Sequence, residues 1–151
     1  MSTGALDRAI PGLEFVQRIA RGEEPGVPIG STLGFRLVSA EHGVVRFEGH
    51  PDERSYNLIG TVHGGWAAAI LDSALALSVL STLTAEQGFT TIDIRINYLR
   101  PLTRETGVVH AEGRVLQSGR RLAYSEARLT DAGGKLIAHG TGSCLVIARQ
   151  G

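Results

Sequence analysis

The chain has almost no cysteine and almost no lysine. Its one cysteine, Cys144, excludes an internal disulfide and any zinc site built from two or more thiolates. Cys144 lies in the apolar run 143–147 and reads as a buried small hydrophobe. Lys135 is the one lysine, so the basic side is almost all arginine. Arginine's fork suits phosphate and carboxylate, although genome composition accounts for such a bias equally well. Net charge is missing too. Fifteen basic and fifteen acidic residues cancel, which argues against a protein devoted to nucleic acid or anionic membrane. Residues 1–8 lack the basic head and apolar core of a signal peptide. The longest apolar stretch, 66–83, is broken by Asp72 and several serines and falls short of a membrane span. The cytoplasm is the expected location. The patterns H-E-x-x-H, G-x-S-x-G and G-x-x-x-x-G-K-S/T are all absent. The histidines match no metal spacing, so neither a metal nor a cofactor is expected.

What is present suits one compact domain: 151 residues, of which 42% are hydrophobic. Residues 5–22 read as a helix interrupted at Pro11-Gly12, with Leu13, Phe15, Val16 and Ile19 as its apolar stripe. That helix is expected over the mouth of a substrate pocket. Residues 1–28 form this N-terminal helix and loop, and 29–151 the single domain. Two short strands follow at 33–40 and 44–49, with Glu41-His42-Gly43 as the turn. Residues 51–61 are polar and turn-rich. A long helix then runs from His63 or Gly64 to about Leu83, and Gly88 ends that region. It is apolar almost all round, as a buried helix is. In the remainder, Ile92, Ile94, Ile96 and Tyr98 alternate with Asp93, Arg95 and Asn97, a period of two that Pro101 ends. Strands at 108–117, 122–130 and 135–147 complete the chain, joined by Ser118-Gly119-Arg120 and Asp131-Ala132-Gly133-Gly134. Short turns between successive strands mean an antiparallel sheet. One sheet of five or six strands covers only part of the apolar helix, and a second copy of the chain is the simplest cover for the rest.

The segment Asn57-Leu58-Ile59-Gly60-Thr61-Val62-His63-Gly64-Gly65, running into Trp66, carries the chemistry. Two glycines open a helix otherwise made of strong helix formers, which lets a ligand approach the backbone. The first amides of a helix lack intrahelical partners and carry partial positive charge, so Gly64 or Gly65 could hold a carbonyl oxygen as it becomes an oxyanion. A tight loop-to-helix turn without a ligand is the other reading. Asp72 stands in the middle of the apolar helix, with no lysine or arginine between Ser55 and Ile94. A buried carboxylate without a cation is costly and is a candidate general base or nucleophile. The alternatives are a solvent-facing gap in the helix, or a pairing with a distant arginine such as Arg95 or Arg100. Gly64 and Asp72 are eight positions apart, roughly 12 Å along a helix axis. If both serve one reaction, they must come from two antiparallel helices of a homodimer.

The run N-x-x-G-x-x-H-G-G, with an aspartate nine residues after the histidine, resembles the hotdog-fold thioesterases of the phenylacetic-acid-degradation type, which include a 4-hydroxybenzoyl-CoA thioesterase type. Residues 91–101 and 134–140 look like later strands of that family. The resemblance covers roughly residues 30–148. It implies an α+β hotdog fold: an antiparallel sheet wrapped around one long central helix, here with an extra N-terminal helix. It also implies hydrolysis of a small aromatic or medium-chain acyl-CoA to free acid and coenzyme A, the latter being part of the substrate. Gly64 would then polarise the thioester carbonyl, and Asn57 would bind that carbonyl or the attacking water. Asp72 of the other subunit would be base or nucleophile, with Thr91 holding the water where some relatives use serine. His63 would orient the loop or meet the sulfur, as a structural donor. Gly65 and Trp66 are further candidate substrate contacts; Trp66 and Tyr56 either line the acyl pocket or simply pack. The nucleotide end would meet Arg120 and Arg121 first, then Arg100 and Arg104, each of which could equally be a solvated surface group. The expected partners are the acyl-CoA and a second copy, with a dimer of dimers as the larger form. The rival readings are a non-catalytic acyl-CoA sensor and a hydratase on the same fold.

Overall fold

The computed structural model describes residues 9–149. Proline cannot sit inside a helix without breaking it, and the first helix, α1 (Gly12–Ala20), starts directly after Pro11. The part of the expected helix before residue 9 lies outside the described residues. Phe15 and Val16 are buried, while Leu13 and Ile19 pack against the core from its margin.

A short helix, α2 (Pro28–Leu33), occupies what reads in sequence as loop and strand start. Pro28 supplies a preset φ in its first turn, and Gly34 closes it at φ 79°. A left-handed residue cannot continue a strand, so β1 begins only at Phe35 (Phe35–Glu41). Apart from two 3-10 turns at Glu53–Ser55 and Arg104–Thr106, the remaining elements are β2 (Val44–Gly49), α3 (Gly64–Leu80), β3 (Gln87–Tyr98), β4 (Val109–Ser118), β5 (Leu122–Asp131) and β6 (Leu136–Ala148). Helix α3 stops before Leu83, and Gly88, expected to end the helical region, lies inside β3.

The six strands form one antiparallel sheet in the order β1-β2-β4-β5-β6-β3. The chain leaves β2, runs through α3, and returns as β3 on the far edge, so the sheet curls around the helix. The sheet face that meets α3 carries small residues, among them Ala111, Gly113, Ala123 and Ala127. A Cβ at Gly113 would stand 2.1 Å from the Ala74 carbonyl oxygen, so only glycine lets the helix sit this close. Ile70, Leu71, Leu75 and Val79 of α3 are fully buried, each worth roughly 2 kcal/mol. At one end Trp66 packs edge-on against Phe35, with ring centroids 6.3 Å apart.

One stripe of α3 stays uncovered. Gly65, Ala68, Ala69, Asp72, Ser73 and Ala76 recur at helical spacing, and all are half-buried or exposed. The single sheet therefore covers most but not all of the helix. Helix α1 does not reach this stripe's N-terminal end. The Gly12 N–H donates to the Leu83 carbonyl at 3.0 Å and Gln17 Nε2 to the Ala40 carbonyl at 3.2 Å. It thus caps the C-terminal end of α3, roughly 24 Å from Gly64 along the helix, and not a pocket mouth beside Gly64. No helix among the described residues is long and apolar enough to cross a membrane.

Candidate active site

Three segments build the site: the loop before α3, the middle of α3, and β3. In the loop, Asn57 is spent on local structure. Its Oδ1 accepts the N–H groups of Ile59 (3.0 Å) and Thr61 (3.2 Å), and its Nδ2 donates to Thr61 Oγ1 at 3.0 Å. One amide N–H is left for a ligand. Asn57 thus shapes the loop that delivers His63 and Gly64, and its carbonyl oxygen is committed.

His63 caps α3. Its N–H donates to the Ser55 carbonyl at 2.7 Å, and its ring Nδ1 accepts the Gly65 N–H at 2.8 Å. At Nδ1 the ring accepts, so the helix cap it forms is not the structural donor expected. Of the two candidate amides, Gly65 is therefore occupied. The Gly64 N–H makes no hydrogen bond among the described residues, and it stands at the positive end of the helix. Beside it opens a cleft of about 340 Å³, lined by Thr61, His63, Gly64, Tyr98, Arg100 and Leu102 among others. A larger cleft of about 580 Å³ lies along β1, between Pro28, Phe35, Arg36 and Glu48, but none of the expected catalytic residues borders it.

Asp72 occupies the uncovered stripe of α3 and is half-buried, so it is less enclosed than its apolar flanks imply. Its Oδ1 accepts a hydrogen bond from Thr91 Oγ1 at 3.2 Å. No arginine pairs with it among the described residues, so Arg95 and Arg100 are not its partners. Thr91 reaches Asp72 because β3 bulges: the register against β6 shifts between Thr91 and Asp93. An extra residue in a strand re-aims its neighbours. Thr91 thereby joins Ile94 and Ile96 on the face turned to α3, where these isoleucines lie against the glycines of β6 beside Leu75. Beneath this pair lies Cys144, 2% exposed. Burial, the largest effect, pushes its thiol up; a hydrogen bond with Thr91 opposes this, and the Asp72 and Asp93 charges add to it.

Trp66 does not line the cleft. It is buried in the core, and its indole N–H donates to the Leu33 carbonyl at 2.7 Å. The Tyr56 hydroxyl accepts the Arg104 N–H at 2.8 Å. Arg104 is held by Glu53 at 3.1 Å, whereas Arg100 borders the cleft without an ionic partner among the described residues. Arg120 and Arg121 are exposed in the β4–β5 turn. Leu122, next in the chain, pairs with Leu145, which pairs with Thr90. The turn is therefore level with the Asp72–Thr91 end of the sheet and remote from Gly64 of the same chain. Sequence reasoning missed Tyr98, whose hydroxyl donates to the Gly64 carbonyl at 2.7 Å. Its place in the alternating row before Pro101 was the available signal. Among the described residues, no group of three or more His, Cys, Asp or Glu side chains is arranged to hold a metal ion.

The thioesterase superfamily profile matches residues 59–138, which run from the Gly64 loop to the start of β6. The chain belongs to the thioesterase superfamily. This thioesterase is 37% identical to human acyl-coenzyme A thioesterase 13 over 69% of its own length and 74% of the relative's. Among solved structures it resembles a phenylacetic acid degradation-related protein from Ralstonia eutropha. The TM-score is 0.76 at 28% identity, covering 86% of this chain and 98% of that one. The phenylacetic acid degradation protein PaaI of Thermus thermophilus gives a TM-score of 0.71 at 28% identity, covering 79% and 98%. The expected hotdog fold and thioester hydrolase activity both stand on these likenesses and on the sheet-wrapped helix.

Proposed function

We propose that this thioesterase hydrolyses a small aromatic or medium-chain acyl-CoA, in sites each shared between two copies of the chain. The observation that carries the reading is the separation of two half-sites on one unbroken helix. An unpaired amide opens α3 at Gly64, and the Asp72–Thr91 pair lies on the uncovered stripe roughly 12 Å further along. In the proposed reaction the Gly64 N–H of one copy holds the thioester carbonyl oxygen, and its grip tightens as charge develops there. Asp72 of the second copy, steadied by Thr91, takes a proton from the attacking water, whose oxygen adds to the carbonyl carbon. Collapse of the tetrahedral adduct breaks the carbon–sulfur bond, and the departing coenzyme A thiolate takes up a proton. Direct attack by the Asp72 carboxylate, followed by hydrolysis of the anhydride, gives the same products. Coenzyme A belongs to the substrate, and no separate cofactor enters either route.

Two features support the second copy. Strand β3 is an edge twelve residues long, and it exposes Ile92, Ile94 and Tyr98 by 39–54%. A long apolar edge of this kind invites pairing with another chain. The proposed assembly is a cytoplasmic homodimer or dimer of dimers. The names of the relatives support CoA esters and aromatic acids as the classes to assay first. A panel of acyl-CoA esters followed by thiol release tests the reading. Asp72→Asn should lower turnover on the best ester by roughly 10²-fold or more, while the melting temperature holds or rises. Near wild-type turnover in that variant refutes the role given to Asp72.

A further inference from the structure

We infer that Tyr98 is a positioning residue for the proposed reaction, acting through a single peptide group to hold His63 as a donor and Gly64 as the available amide. The inference rests on the thioesterase reading of the Gly64 site. The chain of contacts is short. Tyr98 OH donates to the Gly64 carbonyl at 2.7 Å. The nitrogen of the same peptide group is that of Gly65, and its N–H donates to His63 Nδ1 at 2.8 Å. A carbonyl that accepts a hydrogen bond polarises its own amide and strengthens the bond the N–H makes. Tyr98 and His63 therefore grip the two ends of one dipole.

Two consequences follow. An Nδ1 that accepts carries no proton, so the proton of the neutral ring sits on Nε2. His63 borders the cleft and is exposed, and Nε2 has no hydrogen-bond partner among the described residues. His63 thus offers the substrate a neutral N–H donor whose identity is set from behind by Tyr98. The second consequence concerns Gly64. A Cβ there would lie 3.1 Å from the Tyr98 ring, and one at Gly65 would lie 2.9 Å from His63 Nδ1. A side chain at either position would therefore crowd the ring packed against it, and the two hydrogen bonds hold the peptide at both ends. With the Gly64–Gly65 peptide held, the preceding amide of Gly64, which borders the cleft, keeps its orientation.

Tyr98 is 54% exposed, so its hydroxyl is not a device of the core. Tyr98→Phe keeps the ring against Gly64 and deletes the donor. Turnover should fall roughly 10-fold with KM within about twofold, because the amide's contribution grows only as charge develops on the carbonyl oxygen. Long-range proton–nitrogen NMR of His63 should show the Nε2–H tautomer in the wild type and a mixture in the variant. Gly65→Ala breaks the next link by crowding Nδ1. If one peptide relays both effects, the double variant should be no slower than the slower single variant. Losses that multiply, an Nδ1–H tautomer in the wild type, or an unchanged tautomer and turnover in Tyr98→Phe would each overturn the inference. Failure of the thioesterase reading is separable. It would appear as full turnover in Asp72→Asn, or as no hydrolysis of any ester, while the tautomer measurement still decides the role of Tyr98.

Discussion

Complementation between two inactive chains tests the shared site with an arithmetic that the geometry dictates. Helix α3 runs unbroken from Gly64 to Leu80, so the eight residues from Gly64 to Asp72 span roughly 12 Å. Reacting groups must approach one carbon to roughly 3–3.5 Å, and no single carbon can meet both ends of that span. Asn57→Ala would free the two N–H groups that its side chain now accepts and spoil the loop presenting Gly64. Asp72→Ala would remove the other half-site. Refolded together in equal amounts, about half of the dimers should be mixed. In a mixed dimer one site receives both lesions and the other receives neither. The pool should regain about a quarter of wild-type activity, because about half of the dimers carry one intact site of two. Thiol release measures the activity, and native mass spectrometry counts the mixed dimers. A pool rich in mixed dimers that stays inactive would refute the shared site, because each site would then be built within one chain and would keep one lesion.

Other expectations concern the sheet and its turns. Changing both Arg120 and Arg121 to alanine should raise KM for a CoA ester far more than it lowers kcat, and the effect should shrink with a short pantetheine thioester. Equal losses on both substrates would mean that these arginines serve the fold. Glu112 gives a pH test. A hydrogen bond from Arg46, opposed by partial burial and assisted by Arg114, holds its carboxyl below the usual glutamate range. A group depressed in the folded state stabilises above its unfolded pKa and loses that contribution as pH falls through the folded one. Glu112→Gln should therefore cost less than about 1 kcal/mol near pH 7, with the difference closing below the ordinary glutamate range. Denaturant titration at several pH values reads it, and a difference that persists in acid would contradict the pairing.

The elements with a strong period were legible. The Ala- and Leu-rich run could only be a long helix in need of cover, and the turn residues between strands implied an antiparallel sheet, though not that β3 closes its far edge beside β6. Helix α2 was not legible by period, being six residues long; Pro28 and Gly34 marked its ends, but residues of mixed polarity between them carried no stripe. The site was harder. Counting back by two from Tyr98 through Ile96, Ile94 and Ile92 puts Thr91 on the sheet face away from the helix. Only the bulge between Thr91 and Asp93 turns it toward Asp72, and nothing in the local composition announces a bulge. The resemblance pointed to Thr91 where the period pointed away from it.

The same limit explains Asp72. An aspartate with apolar neighbours on both sides in sequence looks enclosed, because sequence adjacency samples every face of a helix. The structure resolves those neighbours by face. Ile70 and Leu71 are buried, while Ala68, Ala69, Ser73 and Ala76 share the open stripe with Asp72. That stripe is made of small residues, and small residues let another helix or a slender ligand approach the backbone closely. A carboxylate set among them costs little in the isolated chain and, in the proposed dimer, would be enclosed by the second copy. Assembly would thus both complete the half-site and remove the water that weakens its electrostatics, which couples activity to association. Specific activity should therefore fall when the enzyme is diluted below its dimer dissociation constant, and it should return on reconcentration. Specific activity that stays constant across a dilution shown by light scattering to yield monomers would break that coupling.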